Sequence, residues 1–227
     1  MAEPAYKTKK DAVVELLREA ILSAQYKPGE RLLQEEIARR LNVSPTPVRE
    51  ALRQLEAEGV LDHSPHRGVR VAEVRFEDVR EIYLIRGALE SLAAREAVPN
   101  LTRANIAHLR AIQTEVESLI AEQRLADLRK LNYDLHMLIY NASGLPELFR
   151  LIRILWTRFP WDTLHVLPGR AAISAREHNA IVDAIAGGDA ETAGLLMHDH
   201  IQHGAVALME FQASGIEAPL TPDEEAI

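Results

Sequence analysis

Residues 41–53 constrain the fold more than any other part of the chain, because their pattern predicts a short turn followed by a helix with two different faces. At about 100° per residue, Thr46, Arg49 and Arg53 fall within one narrow arc. The residues on the opposite side are apolar: Val48, Ala51, Leu52 and Leu55. Ser44 is a favoured N-cap, and the two nearby prolines are tolerated because first-turn amides have no partner within a helix. We therefore expect one face to pack and the other to contact a ligand.

The segment before this helix completes a helix-turn-helix pattern. Residues 31–41 predict a first helix, and residues 42–43 form a short turn after it. The apolar residues on one side of the first helix are Leu33, Ile37, Ala38 and Leu41. At the start of the second helix, the unpaired amides and the helix dipole favour a phosphate group. The pair is therefore typical of a DNA-binding element.

A predicted β-hairpin follows the second helix. Gly59 suits a helix C-terminal cap, and residues 60–61 and 69–71 favour strands on either side of a turn at 63–68. The turn is basic, so the hairpin is typical of the wing of a winged helix-turn-helix domain. The alternative is an ordinary solvated helix with a surface hairpin. Agreement of several signals in one register favours the winged domain, which we place at residues 6–74.

The charge is distributed unevenly along the chain. The formal net charge is −8, but residues 1–75 contain 13 Lys and Arg against 12 Asp and Glu, whereas the remainder contains 13 against 22. The first part can bind DNA if its cations cluster on one face. Candidate cations are Lys7, Lys9, Lys10, Arg49, Arg53 and Arg67.

From residue 76 onward the apolar periodicity predicts helices and no strands. The six predicted helices span 77–97, 102–122, 125–142, 146–165, 170–186 and 189–212. The expected fold class is mainly α: an N-terminal winged helix-turn-helix with a small β-hairpin wing, then an all-α six-helix bundle over residues 76–212. Residues 213–227 are rich in Pro, Gly and acidic residues, so we expect a poorly ordered tail.

Composition excludes several kinds of site. The chain has no cysteine, so disulfides and thiolate metal sites are excluded. No apolar run approaches the ~20 residues that cross a bilayer, and the first residues lack the apolar region of a signal peptide. We therefore expect a cytoplasmic protein without a membrane partner.

Motifs in the first part resemble the GntR superfamily of bacterial regulators. They are the run Pro-Gly-Glu-Arg-Leu at 28–32, the segment Val-Ser-Pro-Thr-Pro-Val-Arg-Glu-Ala-Leu at 43–52, Leu55 with the Glu-Gly pair at 58–59, and the Arg-Gly pair at 67–68. In the second part, the segments 86–90, 132–136, 177–178 and 197–200 look like the FadR-like branch with its helical FCD effector domain. The resemblance implies a homodimeric transcriptional regulator, more often a repressor, that binds a palindromic operator and responds to a small carboxylic acid.

The resemblance also implies which residues bind DNA. It assigns contacts to Thr46 and Arg49 in the second helix, to the wing around Gly68, and to Arg31. With the helix N-cap, the polar arc and the wing included, the predicted set is Arg31, Ser44, Thr46, Arg49, Arg53, His66, Arg67 and Gly68. The common family motif has Arg where this chain has Pro45, so one expected contact is missing. Arg49 can pair with guanine or with a phosphate, and both roles stay open at this point.

Four residues of the second part form a candidate metal site. Asn132 and His136 share one helix face, and His178 and His200 lie on two later helices. Neutral imidazoles with an oxygen donor suit a divalent ion such as Zn, Ni or Mn. The family often has Asp at the position of Asn132, so the missing charge predicts weaker binding. The alternative is a metal-free polar pocket in which the same side chains bind the ligand by hydrogen bonds.

Three neighbouring polar residues are weaker candidates for this site. Asp134 lies about 200° from His136 around the helix and is predicted to point away. His203 shares much of the His200 face and is a reserve ligand, whereas His198 is predicted to face solvent.

Arg86 matches the family arginine that contacts an acidic effector, and a guanidinium can bind a carboxylate through two parallel hydrogen bonds. The alternative is an exposed i,i+4 ion pair with Glu90, which contributes only ~0.3–0.5 kcal/mol. Both interpretations are compatible with the spacing.

Two further functions compete with a ligand-responsive regulator. A metal-dependent hydrolase with an accessory DNA-binding head would use the three histidines for catalysis, but no HExxH motif, nucleophile elbow or phosphate loop accompanies them. A constitutive DNA-binding protein would have lost its effector site, as the change to Asn132 allows. We expect a regulator and not an enzyme.

Overall fold

The computed structural model describes residues 8–23, 25–64, 68–73, 76–158, 167 and 169–214. The chain folds into two compact units. The first comprises residues 1–75 with 154–160, and the second comprises residues 76–153 with 161–227. None of the described helices is long and apolar enough to cross a membrane.

The first unit contains three helices and a three-stranded antiparallel sheet. The helices are α1 (Lys9–Leu22), α2 (Gln34–Arg40) and α3 (Pro45–Ala57), and the strands are β1 (Arg31–Leu32), β2 (Leu61–Ser64) and β3 (Gly68–Val71). The strand order is β1-β3-β2. Buried side chains from all three helices and the sheet form one apolar core, and its largest members include Leu17, Ile21, Ile37, Leu55 and Leu61.

The sheet corrects two expectations about this unit. Residues 31–32 do not begin the first motif helix, because Arg31 and Leu32 pair with Arg70 and Val69 of β3 and form an edge strand. The predicted hairpin is present as β2 and β3, and β1 adds a third strand to it. Leu33, predicted to pack with the helix, is the N-cap residue of α2 and stays exposed.

Backbone geometry explains two helix ends in this unit. Gly59 has φ +69°, and its N–H donates to the Glu56 carbonyl at 2.9 Å, so it ends α3 as predicted. Helix α1 ends at Leu22, where the N–H of Ser23 donates to the Glu19 carbonyl at 2.8 Å.

In its described residues the second unit consists of helices and the turns that connect them. Its helices are α4 (Phe76–Ala97), α5 (Arg103–Ala121), α6 (Leu128–Ala142), the first part of α7 (Pro146–Arg158), α8 (Arg170–Ala186) and α9 (Ala190–Ala213). Short 3-10 turns, Val98–Asn100 and Leu125–Asp127, precede α5 and α6. The predicted helices agree with these, except that the last part of 146–165 and the tail beyond residue 214 lie outside the described residues.

Five of these helices form a closed ring. Helix α4 contacts α9 and α6, α5 contacts α8 and α6, and α8 contacts α9. Each helix therefore presents one face to a shared interior, which is where its apolar residues lie. Polar side chains that point into the same interior are held by the surrounding packing.

Candidate DNA-binding surface and buried histidine cluster

Helix α3 has the two faces predicted from its sequence. Val48, Ala51 and Leu55 are fully buried in the core of the first unit. Thr46, Arg49 and Arg53 are exposed on the other side. The exposed face carries the guanidinium groups of Arg49 and Arg53. The one acidic residue between them in the sequence, Glu50, lies about 100° around the helix from Arg49. This exposed face is the surface that the sequence predicts to contact DNA.

Ser44 occupies the N-cap position of α3 with extended backbone (φ −69°, ψ 157°), but its side chain makes no capping hydrogen bond. The predicted capping bond is therefore absent at this residue. Two prolines in the first turn already remove amides that need a partner. Ser44 is exposed, so its hydroxyl and the remaining first-turn amides are available to a phosphate at the helix start.

Arg31 and Gly68 lie on adjacent strands of the sheet, β1 and β3. Gly68 has φ +75°, a left-handed conformation that favours glycine. A Cβ built on it would lie 3.3 Å from Nε of Arg31, so the arginine side chain crosses closely over the glycine backbone. The sheet thus brings together two predicted DNA-binding residues from distant parts of the unit's sequence. The other wing residues, His66 and Arg67, lie outside the described residues.

Three histidines from three helices converge inside the ring of the second unit. His136 on α6, His178 on α8 and His200 on α9 are all buried. Nε2 of His178 lies 3.1 Å from Nε2 of His136 and 3.2 Å from Nε2 of His200. One ring nitrogen of each histidine lies within 4.8 Å of those of the other two. We call His136, His178 and His200 the histidine cluster.

The spacing of the histidine cluster fits a bound metal ion. Two imidazole nitrogens at about 2.0–2.1 Å from one ion lie roughly 2.9–3.4 Å from each other in octahedral or tetrahedral geometry. The two short Nε2 separations fall within that range. Imidazole nitrogens are suitable ligands for Zn, Cu, Fe or Ni. The cluster could hold such an ion.

The other ring nitrogen of His136 is held by a buried hydrogen-bond chain. The Tyr140 hydroxyl donates to Oε2 of Glu90, so its oxygen is left to accept from Nδ1–H of His136 at 2.6 Å. Oε1 of Glu90 accepts from Nε of Arg86 at 2.7 Å. His136 therefore carries its proton on Nδ1 and directs the Nε2 lone pair into the cluster.

His200 is held by a carboxylate in the same way. Its Nδ1–H donates to Oε2 of Glu177 at 2.7 Å. Nη2 of Arg170 also donates to that oxygen, at 2.7 Å, and Nδ1 of the exposed His203 lies 2.8 Å from Oε1. A carboxylate that orients a histidine is a common outer contact of protein metal sites.

Burial keeps the cluster neutral. It lowers the pKa of His136 and His178 well below the ordinary 6.5, and the neighbouring His200 lowers both further. Burial also lowers the pKa of His200, against the hydrogen bond to Glu177. Burial raises the pKa of Glu177, but the hydrogen bonds from His200 and Arg170 outweigh it and bring the pKa to about 2. A neutral cluster beside an ionised carboxylate is ready to bind a cation.

Comparison with known protein families identifies both parts of the chain. Residues 9–71 match the family described as bacterial regulatory proteins, gntR family. Residues 81–203 match the FCD domain. The chain belongs to the GntR family. It is a DNA-binding transcriptional regulator with an FCD effector-binding domain.

Individual relatives of this GntR protein are regulators as well. It is 32% identical over 152 residues to the HTH-type transcriptional regulator McbR of Escherichia coli, covering 67% of this chain and 69% of the relative. It is 27% identical to the HTH-type transcriptional repressor RspR of the same organism, with 84% of each chain covered. The solved structure of E. coli McbR/YncC matches with a TM-score of 0.77 at 27% identity, over 90% of this chain and 99% of that one. The two curated relatives are named as a transcriptional regulator and a transcriptional repressor.

Arg86 lies in a different environment from the one expected of an exposed ion pair. Its i,i+4 partner is Glu90, as the spacing indicated, but Arg86 is 7% exposed and Glu90 is fully buried. The alternative of an exposed pair is therefore wrong. The ring of Tyr83 packs under the guanidinium, 4.9 Å from ring centroid to Cζ.

The remaining candidates of the GntR regulator fall around the cluster. Asn132 is half-buried on α6, one turn before His136, and stays a predicted ligand. Asp134 was predicted to point away from His136, and it forms an ion pair with Lys130. His198 is exposed, as predicted. His203, the reserve ligand, is exposed and hydrogen-bonds Glu177 outside the cluster.

Sequence reasoning missed three residues that hold the cluster: Tyr140, Arg170 and Glu177. Helical spacing could have indicated two of them. Tyr140 lies one turn after His136, and Arg170 lies about two turns before His178. Glu177 belongs to the segment 177–178 that resembles the FCD domain, but helical spacing does not indicate its contact with His200, which lies on another helix.

Proposed function

We propose that this GntR regulator binds a small carboxylic acid together with a divalent metal ion in its FCD domain, and that this binding changes its affinity for a palindromic operator. The histidine cluster is the observation that carries the proposal. Its two short Nε2 separations and its outward hydrogen bonds to Tyr140 and Glu177 support a preformed cation site. A preformed site avoids the ordering cost of binding.

The ion would be held by His136, His178 and His200, with the amide oxygen of Asn132 as a fourth ligand. When bound, it would supply positive charge for an effector carboxylate. Arg86 would contribute the second cationic group of the effector site. Because Asn132 lacks the charge of an aspartate, we expect weaker metal affinity than a site with Asp at that position would have.

DNA binding is proposed for the exposed face of α3 and the neighbouring wing. The residues are Arg31, Ser44, Thr46, Arg49, Arg53, His66, Arg67 and Gly68. The exposed side chains of Thr46, Arg49 and Arg53 support base or phosphate contacts, and the arrangement at Ser44 supports a phosphate contact. The operative form would be a homodimer, whose two heads bind half-sites about 34 Å apart.

Regulation requires that the effector bind the DNA-free and DNA-bound states with different affinity. We propose that the effector favours the DNA-free state and relieves repression. The histidine cluster would then be a binding site without turnover, so incubation with metal and carboxylic acids should yield no product that depends on His178.

The test uses the full-length protein after chelator treatment. Thermal unfolding is followed with Zn²⁺, Ni²⁺ or Mn²⁺, each with and without acetate, malate or citrate, and fluorescence anisotropy then measures affinity for an operator selected in vitro. Ligands that bind the folded state raise the apparent stability, by about 2.7 kcal/mol at 100 times Kd. A metal-dependent stabilisation and weaker DNA binding are expected in the wild type and in His198→Ala, but not in His178→Ala. Equal behaviour of all three proteins would overturn the proposal.

A further inference from the structure

A continuous hydrogen-bond chain connects Arg86 on α4 with the histidine cluster. Nε of Arg86 donates to one oxygen of Glu90, the Tyr140 hydroxyl donates to the other, and His136 donates to the Tyr140 oxygen. Glu90 and Tyr140 are fully buried, and His136 is 1% exposed. Glu90 and Tyr140 thus connect the proposed effector-binding residue, Arg86, with a proposed metal ligand, His136. Neither of the two connecting residues is itself proposed to bind the effector or the metal.

The direction of each bond in this chain is fixed by chemistry. An ionised carboxylate only accepts hydrogen bonds and an arginine only donates them, so Glu90 accepts hydrogen bonds from both Arg86 and Tyr140. Tyr140 has one hydroxyl proton and gives it to Glu90. Its oxygen is then an acceptor, which requires the proton of His136 to be on Nδ1. If this order were reversed, Nε2 of His136 would carry the proton and could not bind a cation.

We propose that Tyr140 and Glu90 are positioning residues that transmit the state of Arg86 to His136, so that an anion at Arg86 and a metal ion at the cluster strengthen each other's binding. This inference rests on the metal site proposed above. In the structure Glu90 is shared between Arg86 and Tyr140. A bound carboxylic acid that accepts hydrogen bonds from the Arg86 guanidinium weakens the hydrogen bond from Arg86 to Glu90. Glu90 is then a stronger acceptor for the Tyr140 hydroxyl. The Tyr140 oxygen then becomes a stronger acceptor for His136, which makes His136 a better metal ligand.

The first test measures Ni²⁺ affinity of chelator-treated full-length protein by calorimetry. Tyr140→Phe is expected to weaken Ni²⁺ binding by about 10- to 100-fold, the usual effect of removing an outer contact of a metal-binding histidine. Arg86→Gln removes the guanidinium that shares Glu90 with Tyr140, so it is expected to strengthen Ni²⁺ binding, by a smaller factor. The double variant should bind like Tyr140→Phe alone, because the connection is already broken.

Matched controls come from the first unit. Tyr26→Phe removes a hydroxyl from a half-buried tyrosine that packs on Arg40, and Glu58→Gln removes a carboxylate from the ion pair with Arg18. Both should leave Ni²⁺ affinity unchanged. Acetate should tighten Ni²⁺ binding more in the wild type than in Tyr140→Phe, because coupling between two ligands is reciprocal and the variant keeps only the direct attraction between ion and carboxylate.

The second test needs no metal and no variant that folds poorly. Nitrogen-15 NMR of the metal-free wild type distinguishes the two neutral forms of His136, and the proton is expected on Nδ1. A proton on Nε2, or a full effect of Arg86→Gln in the Tyr140→Phe background, would overturn the inference while leaving the metal site intact. Wild-type protein that binds none of the ions would overturn the metal-site proposal and this coupling with it.

Discussion

Nε2 of His136 and Nε2 of His178 lie 3.1 Å apart, although the residues are 42 positions apart in the sequence and on different helices. Two neutral imidazoles at that distance can share one proton, but a third nitrogen, from His200, lies 3.2 Å from His178. A single N–H of His178 cannot satisfy both neighbours at once. One cation at their centre would satisfy all three lone pairs.

Removal of one member should therefore abolish metal retention. We expect His178→Ala to lower the metal content from about one ion per chain to near zero, because two imidazoles leave the ion short of protein ligands. Elemental analysis after dialysis measures the content. His198→Ala is the matched control, since His198 is exposed on α9 and should retain the ion. Equal metal content in both variants would exclude His178 as a ligand.

The metal-free protein should lose stability as the pH falls below about 6.5. Burial is the main cause that lowers the pKa of His136, His178 and His200 below 6.5, the value for the unfolded chain. Between these values the unfolded state binds more protons than the folded state, so the free energy of unfolding decreases with decreasing pH. We expect a lower unfolding temperature of the second unit at about pH 5.5 than at about pH 7.5, with chelator present.

Glu177 does not account for that change. Its pKa is lowered from 4.5 to about 2, so its contribution to stability is fully present above pH 4.5 and is lost only as the pH falls toward 2. His178→Gln removes one of the titrating groups and should show a shallower dependence between pH 5.5 and 7.5. An unchanged slope would mean that His178 is not among the groups responsible.

Arg49→Ala should weaken operator binding without unfolding the protein. Arg49 is exposed, so truncation removes no packing, whereas a lost base contact costs about 1–3 kcal/mol. Anisotropy at several salt concentrations distinguishes the two roles left open by the sequence. A lost phosphate contact reduces the salt dependence by about one unit, and a lost base contact relaxes sequence preference. Arg110→Ala, an exposed arginine of the second unit, is the control and should bind as the wild type does.

Gly68→Ala should weaken DNA binding through Arg31. The substitution costs about 1–2 kcal/mol because of the left-handed backbone, and its Cβ would lie 3.3 Å from Nε of Arg31. Gly188→Ala is a matched control, because Gly188 also has φ +75° but nothing lies within 4 Å of its added Cβ. Both variants should lose similar stability, and only Gly68→Ala should lose DNA affinity. Equal DNA affinity of the two variants would show that Arg31 does not contribute to DNA binding.

Periodicity was sufficient to predict most of the fold. The helical repeat of Val48, Ala51 and Leu55 identified the buried face of α3, and the same kind of pattern located the helices of the second unit. The edge strand at Arg31 and Leu32 could not be found in this way. Two residues give no alternation, and their conformation depends on pairing with β3, nearly 40 positions away.

Some features of the candidate site could also be predicted from the sequence, and others could not. Family spacing alone predicted that His136, His178 and His200 come together, and the structure places them in contact. The burial of Glu90 was not predictable, because a carboxylate four residues after an arginine is usually a solvent-exposed partner. In the structure the buried Glu90 accepts hydrogen bonds from Arg86 on α4 and from Tyr140 on α6.

The origin of the histidine cluster in three different helices also affects how the ring is held together. An ion there would join positions that are 42 and 22 residues apart along the chain. Closing long loops restricts the unfolded ensemble, as a disulfide would, and this chain has no cysteine with which to make one. Metal supply would then set the rigidity of the bundle reversibly, in a protein that has no covalent means of doing so.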